Sequence, residues 1–438
     1  MREPVIIVIT PTETNENFIN NPNIKLVQTK VLIETPKISE NIKSIIQNND
    51  GVDNILILKT GGDHNILIFK NGKVYVWGYN RYCQLGLGDT NDRNTPTENT
   101  ILEQIIQDNG GADNILTLET SWGHNILIFK NGKVYVWGWN NIGQLGIGDW
   151  DDRGTPTENT ILEQIIQQNG GVDNILTLET GWGHNILIFK NGKVYVWGAN
   201  DNGQLGIGYA SRTSPYEIPT KKYGLLTPIE NFKIEQIIQD NGGANNILTL
   251  KTGEDYNILI FKNGKVYVWG YNYFGQLGLG YKSSSSPYGI LTPTENTQLE
   301  QIIQNNGGVD NILTLETGWG HNILIFKNGK VYVWGINSAG QLGLGDTNDR
   351  NTPTENTQLE QIIQDNGGVE NIHIYETGSY HNILVFKNGK VYVWGNNYYG
   401  QIGIGDTNSR NTPTENSNLE QVIQDNGGVF LGGGSSVV

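Results

Sequence analysis

Short runs of consecutive apolar residues recur along the chain at a nearly constant spacing. In the first copy, residues 66–69 and 74–77 are two such runs, and the pair Asn71-Gly72 lies between them. A strand with one solvated face alternates polar and apolar residues, so an unbroken apolar run indicates a strand that is buried on both faces. An Asn-Gly pair between two such runs predicts a β-hairpin with a type I′ turn, in which both central residues have positive φ.

The hairpin pattern occurs six times. The tryptophans that end the six copies are Trp77, Trp137, Trp197, Trp269, Trp334 and Trp394, so the spacings are 60, 60, 72, 65 and 60 residues. A period of this size is typical of an array in which each repeat is one supersecondary unit and neighbouring units bury each other's faces. The sequence therefore predicts a repeat architecture.

Two further runs precede each hairpin. Residues 102–106 and 114–118 are examples, and the turn-forming stretch Asn109-Gly110-Gly111 separates them. We predict four antiparallel strands per unit, with residues 102–106 as the first strand; one helical turn is the alternative for that run. Because both faces of every sheet must be covered, a ring of sheets packed face to face, a β-propeller, fits the pattern.

The two ends of the chain decide the number of blades. Six full repeats occupy residues 35–411, and residues 412–438 begin a further unit with predicted strands at 419–423 and 429–431. Residues 1–34 carry additional strand-like runs. We therefore predict an all-β, seven-bladed β-propeller of four-stranded blades that forms one domain, residues 1–438, and whose last blade is closed by N- and C-terminal strands. A six-bladed ring is the alternative.

The longest shared pattern of the repeats is T-G-x-x-H-N-I-L-x-F-x-N-G-K-V-Y-x-W-G-x-N-x-x-G-Q-L-G-x-G, which is clearest at residues 180–208 and 317–345. This pattern resembles the repeat of the regulator of chromosome condensation family, and the resemblance covers about residues 35–430. It implies a seven-bladed propeller closed by the two termini, in agreement with the count made from the residues. It also implies guanine-nucleotide exchange on a small GTPase as an activity of the family.

Composition and charge limit the classes of partner. The formal net charge is −15, and residues 1–34 carry three basic and four acidic residues. Nucleic-acid binding depends on clustered cations, so the chain is not expected to bind nucleic acid directly. The basic N-terminal extension through which the family's founding member contacts chromatin has no counterpart here.

The single cysteine, Cys83, excludes a disulfide framework within one chain and indicates a reducing compartment. Apolar runs are too short for a signal peptide core or a membrane span. We therefore expect a soluble protein without membrane contact, located inside the cell or in a virus particle.

Two repeated polar features could suggest a metal. His64, His124, His184, His321 and His381 share one repeat position, which Tyr256 occupies in the remaining copy. Residues a whole blade apart are too distant to share one metal ion, so these histidines are expected to be structural. The Asp-rich loop at residues 88–99 lacks the ligand order of a calcium-binding EF-hand. Its Asp and Asn are expected to form side-chain turns, with Arg93 pairing locally. We expect no metal, no cofactor and no catalytic site.

The positions that differ between repeats are the candidates for binding. Aromatic residues are frequent in these variable turns, and aromatic side chains on a rigid scaffold bury much area at low entropic cost. Two insertions, at residues 209–228 and 281–293, lengthen the spacing by twelve and five residues, and the first one is locally basic. The candidate partner-binding residues are Tyr82, Trp122, Trp139, Trp182, Arg212, Lys221, Lys222, Tyr273, Phe274, Trp319, Tyr398 and Tyr399. Inward loop packing is the alternative role of the aromatic ones.

These features predict a non-catalytic propeller scaffold for protein–protein interaction or self-assembly. Near-identical repeats present nearly the same surface at each blade, which favours assembly. The Asn-, Ile- and Lys-rich style also resembles the repeat propellers of giant amoeba viruses of the mimivirus group, which implies a structural component of a virus particle. The alternative function is guanine-nucleotide exchange on a small GTPase.

Overall fold

The computed structural model describes residues 40–211, 224–285 and 287–425. These residues form six antiparallel sheets of four strands, and within each sheet the strands lie side by side in chain order. None of the helices in this part of the chain has the length and apolarity that a membrane span needs.

The first three sheets contain twelve strands: β1 Ile55–Thr60, β2 His64–Phe69, β3 Val74–Gly78, β4 Arg93–Glu98, β5 Ile115–Thr120, β6 His124–Phe129, β7 Val134–Gly138, β8 Arg153–Glu158, β9 Ile175–Thr180, β10 His184–Phe189, β11 Val194–Ala199 and β12 Gly224–Glu230. The other three contain β13 Ile247–Thr252, β14 Tyr256–Phe261, β15 Val266–Tyr271, β16 Gly289–Glu295, β17 Ile312–Thr317, β18 His321–Phe326, β19 Val331–Gly335, β20 Arg350–Glu355, β21 Ile372–Thr377, β22 His381–Phe386, β23 Val391–Gly395 and β24 Arg410–Glu415. Seven helices lie between or beside the sheets: α1 Glu40–Asn48, α2 Thr100–Asp108, α3 Thr160–Gln168, α4 Phe232–Asp240, α5 Thr297–Asn305, α6 Thr357–Asp365 and α7 Ser417–Asp425.

The hairpin between β2 and β3 is present where the Asn-Gly pair predicted it, but its turn differs. Phe69 N donates to Lys73 O at 2.9 Å, and Gly72 N donates to Phe69 O at 2.9 Å. Gly72 has φ 87°, whereas only Asp50 and Cys83 have positive φ among the described residues other than glycine. The turn is therefore of type I with a left-handed glycine after it, and the type I′ prediction is wrong. Asn71 acts through its side chain, which accepts from Lys73 N at 3.0 Å.

The run at residues 102–106, predicted as a strand, is part of helix α2. Asn99 caps this helix, because its side-chain oxygen accepts a hydrogen bond from Leu102 N at 2.9 Å. Leu102 and Ile106, four positions apart, form its buried face. The strand predicted at residues 419–423 is likewise helical, within α7. The Asn cap and the i, i+4 spacing of the apolar residues favour a helix over so short a run. The strand predicted at residues 429–431 lies outside the described residues.

The fourth strand of each sheet is the polar segment after the hairpin, for which no strand was predicted. In β4, Glu98 pairs with Tyr75 of β3 and Thr97 pairs with Val76. Pro96 lies in this strand, which is possible because β4 is an outer edge strand and its residues need donate no hydrogen bond on the open side. An exposed edge strand has no apolar pattern, so the sequence gave no signal for it.

The core is divided into clusters between consecutive sheets. Between the first two sheets, Leu102 and Ile106 of α2 pack with Ile68 of β2 and with Phe129 and Trp137 of the second sheet. The same arrangement recurs in the next four clusters. The four inner sheets are therefore covered on both faces by neighbouring sheets, as the unbroken apolar runs predicted. First strands of consecutive sheets contact one another from β1 to β21, which places them nearest the axis of a β-propeller.

The number of blades in the described residues is six, not seven. The composite blade was predicted from residues 1–34 and 412–438, of which residues 1–34 and 426–438 lie outside the described residues. Residues 412–415 belong instead to β24 of the sixth sheet, and residues 417–425 form α7. The strands β21 and β1 make no contact comparable to those between consecutive sheets.

Candidate functional site

Two sets of connections lie on one face of the propeller. Strands alternate in direction within a sheet, so the connection from β1 to β2 and that from β3 to β4 emerge at the same edge. The corresponding connections of the other five sheets emerge there as well. We call this surface the loop face; the six hairpins and the helices are at the opposite edge. All variable aromatic positions singled out from the sequence within the described residues belong to the loop face.

Five aromatic rings from the first three sheets form one cluster. Trp122 is at its centre, with ring centroids of Tyr82, Trp139 and Trp182 at 5.3, 5.5 and 5.9 Å. Trp139 and Trp182 are 4.7 Å apart, and Tyr79 packs on Tyr82 at 5.8 Å. Trp139 is only 6% exposed, so for this residue the inward-packing alternative holds. Tyr82, Trp122 and Trp182 are half-buried.

A second aromatic cluster covers the last three sheets. Phe274 contacts Tyr273 at 5.0 Å and Trp319 at 5.5 Å, and Trp319 contacts Tyr380 at 4.9 Å. Tyr271 and Tyr288 extend it beside Tyr273. Farther along the same face, Tyr398 and Tyr399 contact each other at 4.9 Å. Their exposures of 71% and 76%, against 45% for Tyr273, make them the most accessible of the candidate rings.

The three basic candidates are not placed by the structure. Arg212, Lys221 and Lys222 lie outside the described residues. The neighbouring residues Ala199 and Gly224 end β11 and begin β12, so the insertion joins the loop face at the third sheet.

An acidic group separates the two aromatic clusters. In the fourth sheet, Glu254-Asp255 takes the place of the Trp-Gly pair found in the second, third and fifth sheets. Gln204 Nε2 donates to Asp255 at 2.9 Å and to Asp201 at 3.1 Å, which brings two carboxylates to one amide. Burial, with Asp255 beside it, raises the pKa of Glu254 to about 9; burial and Asp201 raise the pKa of Asp255 to about 7. Sequence reasoning missed this group, although its departure from Trp-Gly was visible.

The innermost strands carry one charged position in all six sheets. Lys59 pairs with Glu119 at 3.1 Å, and Lys251 pairs with Glu316 at 3.6 Å. Burial alone would lower the pKa of Lys251. The negative charges of its neighbours Glu316, Glu179 and Glu376 have the larger effect, so the pKa of Lys251 is raised. Burial raises the pKa of Glu179 to about 7. Two lysines among repeated glutamates thus reduce the repulsion around the axis.

Four of the five repeated histidines form joints between sheets. His64 Nε2 lies 2.8 Å from Asn125 Oδ1 in the next sheet, and Asn125 Nδ2 donates to Gln84 O at 3.0 Å. In the fourth sheet Tyr256 takes the same place, and its hydroxyl donates to Asn322 Oδ1 at 2.8 Å. Burial lowers the pKa of all five rings to about 4, so they are neutral at physiological pH. The structural role expected for these residues is seen in the joints of His64, His124, His184 and His321; among the described residues no such joint is formed by His381.

The Asp-rich loops are stabilised by local pairing, as expected. Asp89 accepts from Arg93 at 2.6 Å and from Asn91 N at 2.9 Å. Arg350 and Asp346 repeat the pair at 2.6 Å. Within the part of the chain that the structure describes, no group of three or more His, Cys, Asp or Glu is placed to hold a metal ion. Cys83 keeps the positive φ, 63°, of the glycines it replaces, and burial raises the pKa of its thiol.

Comparison with solved structures supports the fold. The yeast RCC1 protein Prp20, solved with Kap60 bound, matches with a TM-score of 0.57 at 20% identity and covers 83% of this chain and 74% of that one. Human WBSCR16 matches with a TM-score of 0.57 at 18% identity, over 83% of this chain and 81% of that one.

Curated proteins give sequence similarity over most of the chain. The ultraviolet-B receptor UVR8 of Arabidopsis thaliana is 28% identical over 82% of this chain and 69% of its own length. Protein pim1 of Schizosaccharomyces pombe is 26% identical over 80% of this chain and 61% of its own. A bifunctional kinase and ubiquitin ligase of Dictyostelium discoideum is 26% identical over 71% of this chain, which is 17% of that protein.

Two family models of the regulator of chromosome condensation (RCC1) repeat match the sequence. The first matches residues 71–118, 131–188, 191–237, 263–325, 328–373 and 388–437. The second matches residues 176–204 and 313–341, which overlap the stretches where the shared pattern is clearest. Together with the six sheets and their repeated joints, these matches show that the chain belongs to the RCC1 repeat family of β-propellers.

Proposed function

We propose that this protein is a non-catalytic scaffold that binds a protein partner, or a second copy of itself, through the loop face. The observation that carries this proposal is the concentration of aromatic rings on that one face. Tyr82, Trp122, Trp182, Tyr273, Phe274, Trp319, Tyr398 and Tyr399 are the described residues proposed to make the contact. Arg212, Lys221 and Lys222 join this proposal from the insertion.

Ring closure by a seventh blade is part of the proposal. The core clusters at the two ends of the sheet array are each half of a full cluster. At one end, Ile42 and Ile46 of α1 pack on Phe69 and Trp77 without a second sheet. At the other end, Leu419 and Ile423 of α7 pack on one face of the sixth sheet. One further sheet, built from both termini, would complete both clusters.

The test measures self-association by sedimentation velocity over a wide concentration range. The variant Tyr273→Ala/Tyr398→Ala/Tyr399→Ala removes exposed rings from the loop face. Phe232→Ala is the control, because Phe232 is 68% exposed at the start of α4 on the opposite face. Self-association that is lost only in the loop-face variant supports the proposal. A wild-type chain that stays monomeric throughout contradicts the self-assembly branch.

The Asn-, Ile- and Lys-rich composition is what supports a role in a virus particle. The relatives named above come from Arabidopsis thaliana, Schizosaccharomyces pombe and Dictyostelium discoideum. Repetition of one surface around the ring is the feature that favours assembly into a layer. Electron microscopy of the purified protein tests it. Ordered layers or rings would support this role, and dispersed single particles would contradict it.

The alternative function is guanine-nucleotide exchange. It is supported by the similarity to pim1 and by the likeness to Prp20, whose binding to Gsp1p has been described. Release of a fluorescent guanine nucleotide from purified small GTPases, with the propeller at catalytic amounts, decides between the two. Accelerated release would overturn the non-catalytic scaffold, whereas unchanged release across GTPases would remove the alternative.

The first aromatic cluster favours a second candidate, response to ultraviolet light. Trp122, Trp139 and Trp182 are packed within 4.7 to 5.9 Å, and the related Arabidopsis protein is an ultraviolet-B receptor. Illumination in that range, followed by sedimentation, tests whether the oligomeric state changes. A change in the wild type that is lost in Trp122→Phe/Trp182→Phe would support this candidate, and an unchanged wild type would remove it.

A further inference from the structure

The distribution of ion pairs distinguishes three carboxylates from the repeated ones. In each repeat the hairpin lysine pairs with two glutamates, as Lys73 does with Glu98 and with Glu103. Arg93 likewise pairs with Asp89. In the described part of the chain, Asp201, Glu254 and Asp255 form no ion pair with any lysine or arginine, although all three lie on the loop face. Three partly buried carboxyl groups thus lie on the loop face without a lysine or arginine partner among the described residues.

This place is held rigidly between aromatic residues. Trp182 N donates to Glu254 O at 2.8 Å, and Tyr271 N donates to Asp255 O at 2.8 Å. The acidic side chains therefore lie between the first aromatic cluster, which contains Trp182, and the second, which contains Tyr271. Tyr380 of the second cluster also interacts with Glu254. Burial is the main cause that raises the pKa of Tyr380 to about 12, and the nearby Glu254 carboxyl is the second cause.

From this juxtaposition we propose that the loop face binds a protein segment rich in arginine or lysine. Its cationic side chains contact Asp201, Glu254 and Asp255, and their stems or guanidinium planes lie on the neighbouring rings. The inference rests on the proposed function and names the chemistry of the partner.

Charge complementarity selects this occupant. Ionising these partly buried carboxyl groups without a cation is costly, and an arriving ammonium or guanidinium group offsets that cost. Arginine also stacks on aromatic faces, so one side chain can satisfy the acidic group and an adjacent Trp or Tyr. An acidic partner or a nucleic acid would be repelled. A lone metal ion is disfavoured, because the described residues hold no cluster of suitable ligands.

The experiment measures the anisotropy of a fluorescently labelled oligo-arginine peptide, with oligo-glutamate as the reference probe. The test variant Asp201→Asn/Glu254→Gln/Asp255→Asn replaces the three carboxyl groups by amides of the same shape, and the amide oxygens can still accept from Gln204. The matched control Asp113→Asn/Asp173→Asn/Asp310→Asn replaces the same number of carboxyl groups at exposed positions on the opposite face. Far-ultraviolet circular dichroism checks that each variant folds, and Glu254→Gln alone replaces the triple variant if that variant does not.

We expect the wild type to bind oligo-arginine and not oligo-glutamate. The test variant should weaken binding by about tenfold or more, and the control should change it by less than about twofold. Equal weakening by both triple variants would show general attraction to an acidic molecule and would overturn the inference. No binding by the wild type would also overturn it.

The outcome is separable from that of the proposed function. If the chain self-associates through the loop face and oligo-arginine neither binds nor displaces the second copy, the scaffold stands and only the cationic partner is refuted. If both the self-association and the peptide binding are absent, both proposals lose their support.

Discussion

His124 Nε2 lies 2.8 Å from Asn185 Oδ1, which joins the second sheet to the third inside the protein. Asn185 Nδ2 donates to Gln144 O at 3.0 Å, so its Oδ1 must accept, and His124 must carry its proton on Nε2. The joint fixes both the tautomer of the ring and the angle between two sheets. Its repetition gives the recurring His-Asn pair a structural explanation.

Removing one Asn of a joint should destabilise the ring. In Asn185→Ala, the Nε2–H of His124 loses its partner in a fully buried site, while Gln144 O still accepts from Trp197 Nε1 at 3.0 Å. We expect a loss of about 1–3 kcal/mol in the free energy of unfolding, measured by urea denaturation. Asn348→Ala, at an exposed loop position, is the control and should change it little. Equal effects of the two variants would contradict the structural importance of the joint.

The buried histidines predict a stability that rises with pH. Burial lowers the pKa of His184 from 6.5 to about 4, so between these values the unfolded chain binds more protons than the folded one. Each such ring therefore destabilises the fold as the pH falls through this window. His184→Tyr copies the arrangement of Tyr256 and removes one titrating ring.

The measurement is urea denaturation at pH 5 and pH 7. The difference in stability between the two conditions should be smaller in His184→Tyr than in the wild type by roughly 2 kcal/mol. An unchanged difference would mean that His184 is not buried as a neutral ring.

Two glutamates of one repeat position should respond in opposite ways. Burial raises the pKa of Glu179 from 4.5 to about 7, so the fold loses stability as the pH rises between these values. Glu179→Gln should remove that loss and be more stable than the wild type at pH 8, by on the order of 1 kcal/mol after allowance for solvent screening.

Glu119→Gln is the matched comparison, because Glu119 pairs with Lys59 at 3.1 Å. Removing this partner leaves the lysine unpaired, and the variant should be less stable than the wild type. Unfolding curves of both variants at pH 8 check the contrast. Stabilisation of both, or of neither, would contradict the charge arrangement around the axis.

The strands that are buried on both faces could be predicted from the sequence, and the polar edge strands could not. Residues 66–69 and 74–77 lie in adjacent strands because an unbroken apolar run demands cover on both faces. The edge strand β4 has no such run, so its polar residues gave no signal. The helix α2 was mistaken for a strand because its apolar residues, read without the Asn99 cap, fit both periods over so short a stretch.

The candidate site was predicted in part for a similar reason. Variable aromatic positions such as Trp122 and Trp182 could be found by comparing repeats, and their meeting on one face follows from the alternation of strand directions. Whether a ring is exposed depends on its neighbours in other sheets. The sequence alone therefore could not show that Trp139 is buried and Tyr399 is exposed. The acidic group likewise combines Asp201 of one sheet with Glu254 of the next.

Gly192 occupies the left-handed position of the hairpin turn between β10 and β11. Gly192 has φ 89°, and a Cβ added there would meet no atom within 4 Å, so the cost of a substitution is conformational and not steric crowding by neighbours. Gly192→Val should destabilise the protein by more than ~1 kcal/mol, because a β-branched residue resists positive φ. Gly192→Asn is the control, since asparagine adopts the left-handed region at lower cost. Thermal melting should place Asn between the wild type and Val; equal melting of all three would contradict the left-handed glycine in this turn.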